Sequence, residues 1–221
     1  MTPGIAKLVK CPYCGTKKEL MTLASGNTFG ATYWSDNKCE APMLPSVSPV
    51  QKCPHCGKYY LESKQASERG KDYSFNKGNL AYPEWKEAFS QFVCQSSQKD
   101  LNRYMTITED DLVNIRFWLI HAYNDYYHRE KAAEPSQEEY AFFCNVVNDF
   151  IDTFDWTSVK NPLLKAEYFR EANEMEKCQE VLNSISYDQL EDFEKGIFDG
   201  IKTRMDKKDN AVFKLYEYNF L

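Results

Sequence analysis

The frame Cys-Pro-x-Cys-Gly occurs twice, as Cys11-Pro12-Tyr13-Cys14-Gly15 and as Cys53-Pro54-His55-Cys56-Gly57, with 38 residues between Cys14 and Cys53. Each pair carries two sulfurs to one side of a tight turn. Two such turns facing each other supply four soft ligands, which Zn²⁺ takes tetrahedrally at about 2.3 Å. The glycine after each second cysteine accepts positive φ and lets backbone N–H groups turn toward sulfur. The sequence therefore predicts one structural Zn²⁺ held by Cys11, Cys14, Cys53 and Cys56, a clasp that joins two distant stretches of chain.

Other chemistries for these cysteines fit less well. A thioredoxin-like redox site needs only one CxxC, set between a strand and a helix. A catalytic zinc keeps a position open for water, whereas four cysteines close the shell. His55 lies between the cysteines of its own loop and is expected to point away from the metal. The other four cysteines, Cys39, Cys94, Cys144 and Cys178, share no spacing rule, and three of them fall in predicted helices, where a lone Cys is usually a small buried hydrophobe.

At 221 residues the chain suits a small domain plus a medium one. Apolar residues make up 43% and aromatics 15%, and no apolar run approaches the roughly 18 residues that span a bilayer. Met1 to Lys10 lacks the pattern of a secretory signal, so the expected location is cytoplasmic, with no membrane partner. Residues 1–60 hold seven lysines and three acids, a balance of +4, against 20 basic and 30 acidic residues, −10, in the remainder. Such asymmetry has two readings: a basic nucleic-acid-binding part on an acidic body, or two solvated surfaces of opposite bias.

Between the cysteine pairs, Glu19–Leu23 and Thr28–Trp34 have β character around Ser25-Gly26-Asn27, which predicts a hairpin. Paired CPxCG knuckles clamping short strands resemble the zinc-ribbon (rubredoxin-like) fold over residues 7 to about 63. That resemblance implies a structural metal and no particular activity. Tyr33 and Trp34 are either a base-stacking pair or core cover for a mini-domain poor in large residues.

The turn-rich, charged stretch 64–80, with Gly70 and Gly78, reads as a boundary, giving a ribbon at 1–63 and an all-α domain at 81–221. Pro83 suits a first helical position, ahead of Trp85, Ala88, Phe89, Phe92 and Val93 at helical spacing. Thr108 is placed to cap a helix with the stripe Leu112, Ile115, Leu119, Ala122 and Tyr126. Ser136 and Glu139 form a capping box before Tyr140–Phe154, and Asn161-Pro162 opens another helix. Leu190, Phe193, Ile197, Ile201 and Met205 mark a last amphipathic helix. Ala166, Phe169 and Cys178, with Asn173 near the turn, resemble one tetratricopeptide (TPR) helix pair, though no 34-residue period surrounds it. A zinc ribbon ahead of TPR-like helical hairpins resembles bacterial proteins of that architecture, a resemblance that implies no reaction.

His121, Asp125 and His128 share one helical face at i, i+4 and i+7, a spacing able to bind a metal. That face is opposite the Leu112/Ile115/Leu119 stripe, so its ordinary reading is a solvated surface. The leading functional expectation is a non-enzymatic adaptor for a protein or peptide. The alternatives are a nucleic-acid binder using the basic ribbon, and a metal-dependent enzyme using the His121/Asp125/His128 face. Oligomeric state has no signature in the sequence.

Overall fold

The computed structural model describes residues 1–70, 80–128, 135–157 and 161–217. In chain order its elements are β1 (Thr2–Lys10), β2 (Lys17–Ser25), β3 (Thr32–Trp34), β4 (Cys39–Glu40), β5 (Val50–Lys52), β6 (Tyr59–Leu61) and β7 (Ser67–Arg69). There follow α1 (Tyr82–Ser96), α2 (Glu109–His128), α3 (Gln137–Thr153), α4 (Pro162–Glu171), α5 (Met175–Asn183), α6 (Asp192–Asp206) and β8 (Lys214–Glu217). Small antiparallel sheets thus occupy the N-terminal part and helices the C-terminal part, the mixed β-plus-α layout expected. No described helix is long and apolar enough to cross a membrane.

The described chain forms two compact units, one of Met1–Ala31 with Glu40–Ala122, the other of Thr32–Cys39 with Tyr123–Glu217. Strands β1 to β7 other than β3, together with α1, therefore belong largely to one body. This differs from the sequence expectation of a break at 64–80, of which residues 71–79 lie outside the described residues.

In the first unit, β1 pairs antiparallel with β2 on one side and with β7 on the other. The first knuckle is itself the β1–β2 turn, and the second joins β5 to β6. The hairpin predicted around residues 25–27 does not form. β2 has a nearer antiparallel partner in β1, across the Cys11–Gly15 turn, and the peptide N–H of Asn27 is taken by the Met43 carbonyl (3.3 Å). Helix α1 buries Tyr82, Trp85, Ala88, Phe89 and Phe92 at the expected spacing, while Val93 is exposed. Its Trp85 ring stacks on Trp118 of α2 at 6.1 Å. Thr108 caps α2: its Oγ1 accepts from Asp111 N–H at 3.2 Å, and Asp111 reaches back to Thr108 N–H at 2.8 Å.

In the second unit, β3 pairs with β8, placing Tyr33 opposite Tyr216. Ser136 and Glu139 close the capping box of α3, and Asn161 caps α4 through the Leu164 N–H at 3.0 Å. Helix α4 ends at Glu171, and two residues further on Asn173, with φ of 62°, takes the left-handed conformation. The N–H of Glu174 bonds the Phe169 carbonyl and that of Asn173 the Arg170 carbonyl, the Schellman arrangement that turns the chain into α5. Ala166 and Cys178 are fully buried. In α6 only Ile201 is buried. Phe193 is exposed, and Leu190 precedes the helix.

The second unit also buries a polar cluster that the sequence did not announce. Asp36, Asn124, Glu167, Arg170 and Glu171 are each no more than 1% exposed. Asn124 Nδ2 donates to Asp36 Oδ2 and to Glu171 Oε2, each at 2.9 Å. Arg170 forks onto Glu167 at 2.8 and 2.5 Å, and its remaining N–H groups reach the carbonyls of Asp209 and Ala211. Arginine is suited to this because its planar fork matches a carboxylate and still has donors left for backbone.

Candidate metal centre

The two knuckles are built alike. In the first, Cys11 N–H bonds the Thr16 carbonyl at 2.9 Å and Gly15 N–H the Cys11 carbonyl at 3.0 Å. In the second, Cys53 pairs with Lys58 and Gly57 with Cys53 at the same distances. Gly15 and Gly57 have φ of 77° and 72°, the conformation for which the sequence reserves glycine. Each turn thereby holds its two thiols on one side.

The four thiols converge. The Sγ atoms of Cys11, Cys14, Cys53 and Cys56 all lie within 4.8 Å of one another, and the contacts run between knuckles, Cys11 to Cys56 at 3.8 Å and Cys14 to Cys53 at 3.5 Å. A tetrahedral ion with bonds of about 2.3 Å separates its sulfurs by about 3.8 Å, so the donor set fits a tetrathiolate metal. A disulfide requires about 2.0 Å between sulfurs, and all eight cysteines are free thiols. Cys39 and the exposed His55 stand outside the group.

The electrostatics of the thiols reflect their crowding. Burial, opposed by the Tyr13 and Cys14 backbone N–H groups, pushes the Cys11 thiol up to about 12. Exposed Cys14 goes the other way, to about 5, through hydrogen bonding with Thr16. A cation supplies the charge that lets all four ionise together, which is why binding at such a site releases protons. Behind Cys53, the half-buried Lys18 ammonium is steered by Gln51 Oε1 at 2.9 Å; burial lowers its pKa, and the Cys53 charge opposes that.

Val9, Leu20 and Tyr60 pack with Cys11 and Cys53 in one small core, against which Tyr13 and Cys56 lean. Helix α1 completes the support. Tyr13, the variable residue of the first knuckle, has its hydroxyl held by the amide groups of Gln91 (3.0 Å) and Gln95. Gln91 also pairs with the Tyr59 backbone through both its N–H and its carbonyl, at 3.0 and 2.7 Å, and the Tyr59 hydroxyl donates to Glu87 at 2.6 Å. Sequence reasoning missed these partners. Glutamines on a helix carry no spacing rule, and only the unusual pair Gln91/Gln95 at i, i+4 beside an apolar stripe hints at them.

The His121/Asp125/His128 face is not the solvated surface expected. His121 is buried against Phe117, with ring centroids 4.1 Å apart. The His128 side chain is 3% exposed, stacks on Trp34 at 3.9 Å and donates through Nδ1 to Asp125 at 3.0 Å. Burial raises the Asp125 carboxyl, but His128 and Lys38 outweigh it and hold that group below the usual carboxylate range. No group of three metal-capable side chains among the described residues includes His121. Trp34 is stacked and buried, but within the second unit rather than as cover for a ribbon mini-domain. Compared with known proteins, the chain matches no family model, no curated protein and no solved structure.

Proposed function

We propose that the cysteine cluster holds one structural Zn²⁺ and that the protein works as a non-enzymatic adaptor, a cytoplasmic chain whose TPR-like helical part binds a protein or peptide. The observation that carries the metal reading is the set of four thiols, two per hairpin knuckle, at tetrahedral spacing with no ligand position left for substrate. Zinc is preferred to iron because a given set of ligands binds Zn²⁺ more tightly than Fe²⁺ in the divalent affinity order. Metal analysis tests this: about one Zn per chain is expected, and a coloured, iron-loaded protein would refute it. Cys53→Ser should lose the metal and Cys39→Ser should keep it, since only the former is in the cluster.

The adaptor reading is favoured over nucleic-acid binding by the fate of the ribbon lysines. Lys7 is paired with Glu62, Lys17 with Glu68 at 2.7 Å, and Lys52 with Glu84 at 3.2 Å, while Lys18 is turned inward onto Gln51. The +4 of residues 1–60 is thus partly interleaved with acids from 62–87, and among the described residues Lys10 and Lys58 are the ribbon lysines left exposed without an ion pair, too few for a row along a phosphate backbone. Zinc-loaded protein used as bait in a nuclease-treated extract should retain a protein partner reproducibly. If nuclease treatment abolishes retention, the nucleic-acid alternative replaces the adaptor.

A further inference from the structure

Helices α5 and α6, both in the second unit, border a shallow groove of about 530 Å³ lined by Met175, Glu176, Gln179, Glu180, Met205 and Asp206. The two methionines are half-buried and form an apolar, adaptable floor. Three carboxylates rim it. Glu176 and Glu180 are exposed one helical turn apart, a like-charge i, i+4 pair that disfavours the free helix, and Asp206 faces them from α6. Among the described residues none of the three has an ion pair or a hydrogen bond from a side chain. Of the two lysines adjacent in sequence to the rim acids, Lys177 is engaged elsewhere, with Glu174 at 3.3 Å and over the Phe169 ring, and exposed Lys207 makes no ion pair among the described residues.

The charge around the groove points the same way. By sequence the second unit, residues 32–39 and 123–217, carries 13 basic and 22 acidic residues, a balance of −9. A bare acidic rim around an apolar floor complements one chemistry: alternating cationic and aliphatic side chains, presented as an amphipathic helix laid between two helices.

We infer that the α5–α6 groove docks a basic amphipathic segment of a protein partner, its aliphatic side chains on Met175 and Met205 and its lysines or arginines on Glu176, Glu180 and Asp206. This rests on the adaptor reading and names the surface and the partner's chemistry. Met175 and Met205 select for flexible aliphatic groups rather than one shape, while the three acids fix the sign of the flanking charge.

The test uses the full zinc-loaded chain and a fluorescent amidated peptide of roughly 18 residues, containing only Leu and Lys with Leu at i, i+3, i+4 and i+7. An isomer with the same composition in scrambled order controls for charge. Saturable binding is expected for the patterned peptide and not for the isomer. Glu176→Lys with Glu180→Lys should weaken it at least about tenfold, whereas Asp149→Lys with Asp152→Lys, on the exposed face of α3, changes net charge equally and should stay within about twofold. Equal binding of the isomer, equal loss in both charge-reversed variants, or no saturable binding by the wild type would each overturn the inference. Partner capture with the same variants separates the two readings. Capture unaffected by the groove reversal leaves the adaptor standing without this groove, and a wild type that retains no protein removes the adaptor itself.

Discussion

Glu171 is a carboxyl buried beside two others, Glu167 and Asp36. Its side chain is enclosed, Oε2 accepts from Asn124, and Oε1 has no hydrogen-bond partner. Burial first, then the charges of Glu167 and Asp36, push its carboxyl well above the usual range, with Arg170 and Asn124 opposing. Arg170 is already committed to Glu167, so ionising Glu171 beside Asp36 would bury a second negative charge without compensation. The folded state therefore binds a proton that the unfolded chain releases. A group raised in this way contributes stability that is complete below its unfolded pKa and is lost as pH rises through the folded pKa. Glu171→Gln, which keeps the shape and cannot ionise, should flatten that decline and leave the variant more stable than the wild type above neutral pH, by about 1.4 kcal/mol for each pH unit over which the wild type retains the proton. Urea midpoints from pH 5 to pH 9 check it, and parallel curves for the two proteins would refute it. Arg170→Ala should act in the opposite sense, costing about 3–5 kcal/mol by stranding Glu167. None of this was legible in the sequence. Glu167, Arg170 and Glu171 stand at i, i+3 and i+4 on a short helix, a spacing that carries no sign of burial, and only the tertiary cover from residue 36 and the 209–211 carbonyls makes them interior.

Among elements, the features written in local code were legible. The caps at Thr108, Ser136 and Asn161, the proline at the start of α1 and the left-handed Asn173 each follow from one residue's own chemistry. The four metal-capable cysteines were legible for the same reason, since a CxxC turn is a local structure. Pairing between strands was not. The hairpin expected at residues 25–27 rested on a turn-prone tripeptide, whereas the stronger constraint was that a cysteine knuckle already closes β1 onto β2, leaving β3 to pair with β8 almost at the other end of the chain. Two substitutions probe the local code. A Cβ at Gly57 meets nothing within 4 Å, so Gly57→Ala carries only the strain of φ at 72°, about 1–2 kcal/mol. Thermal unfolding should show a lower midpoint with metal content unchanged, and loss of the metal would mean that the knuckle tolerates no strain at all. Asn173→Gly removes a smaller version of the same strain and should leave the protein as stable or more so, whereas Asn173→Val, β-branched in the left-handed region, should destabilise it clearly.

At the scale of the whole molecule, the metal-capable knuckles and helix α1 are joined in the first unit, which changes what chelation should do. If the ribbon were a separate domain ending near residue 63, stripping the metal would unfold it and spare α1. Instead α1 contributes Gln91 and Gln95 to Tyr13, Glu87 and Gln91 to Tyr59, and Glu84 to Lys52, so the knuckles and the helix share one set of polar contacts over one core. The energy of a structural zinc site is largely folding energy, and a ribbon this small has no core able to replace it. Removing the ion should therefore release the face of α1 that carries Trp85, a side chain 2% exposed in the folded chain. The four tryptophans divide evenly, Trp85 and Trp118 in the first unit, Trp34 and Trp156 in the second. Protein labelled with 5-fluorotryptophan gives one fluorine resonance for each, assigned by single Trp→Phe variants. On titration with a strong chelator the Trp85 resonance should move to the position of the unfolded chain in step with loss of metal, and return when Zn²⁺ is added back. A Trp85 resonance that keeps its folded position after the metal has gone would show that α1 stands without the knuckles, and the first unit would then divide where the turn-rich stretch 64–80 first placed the boundary.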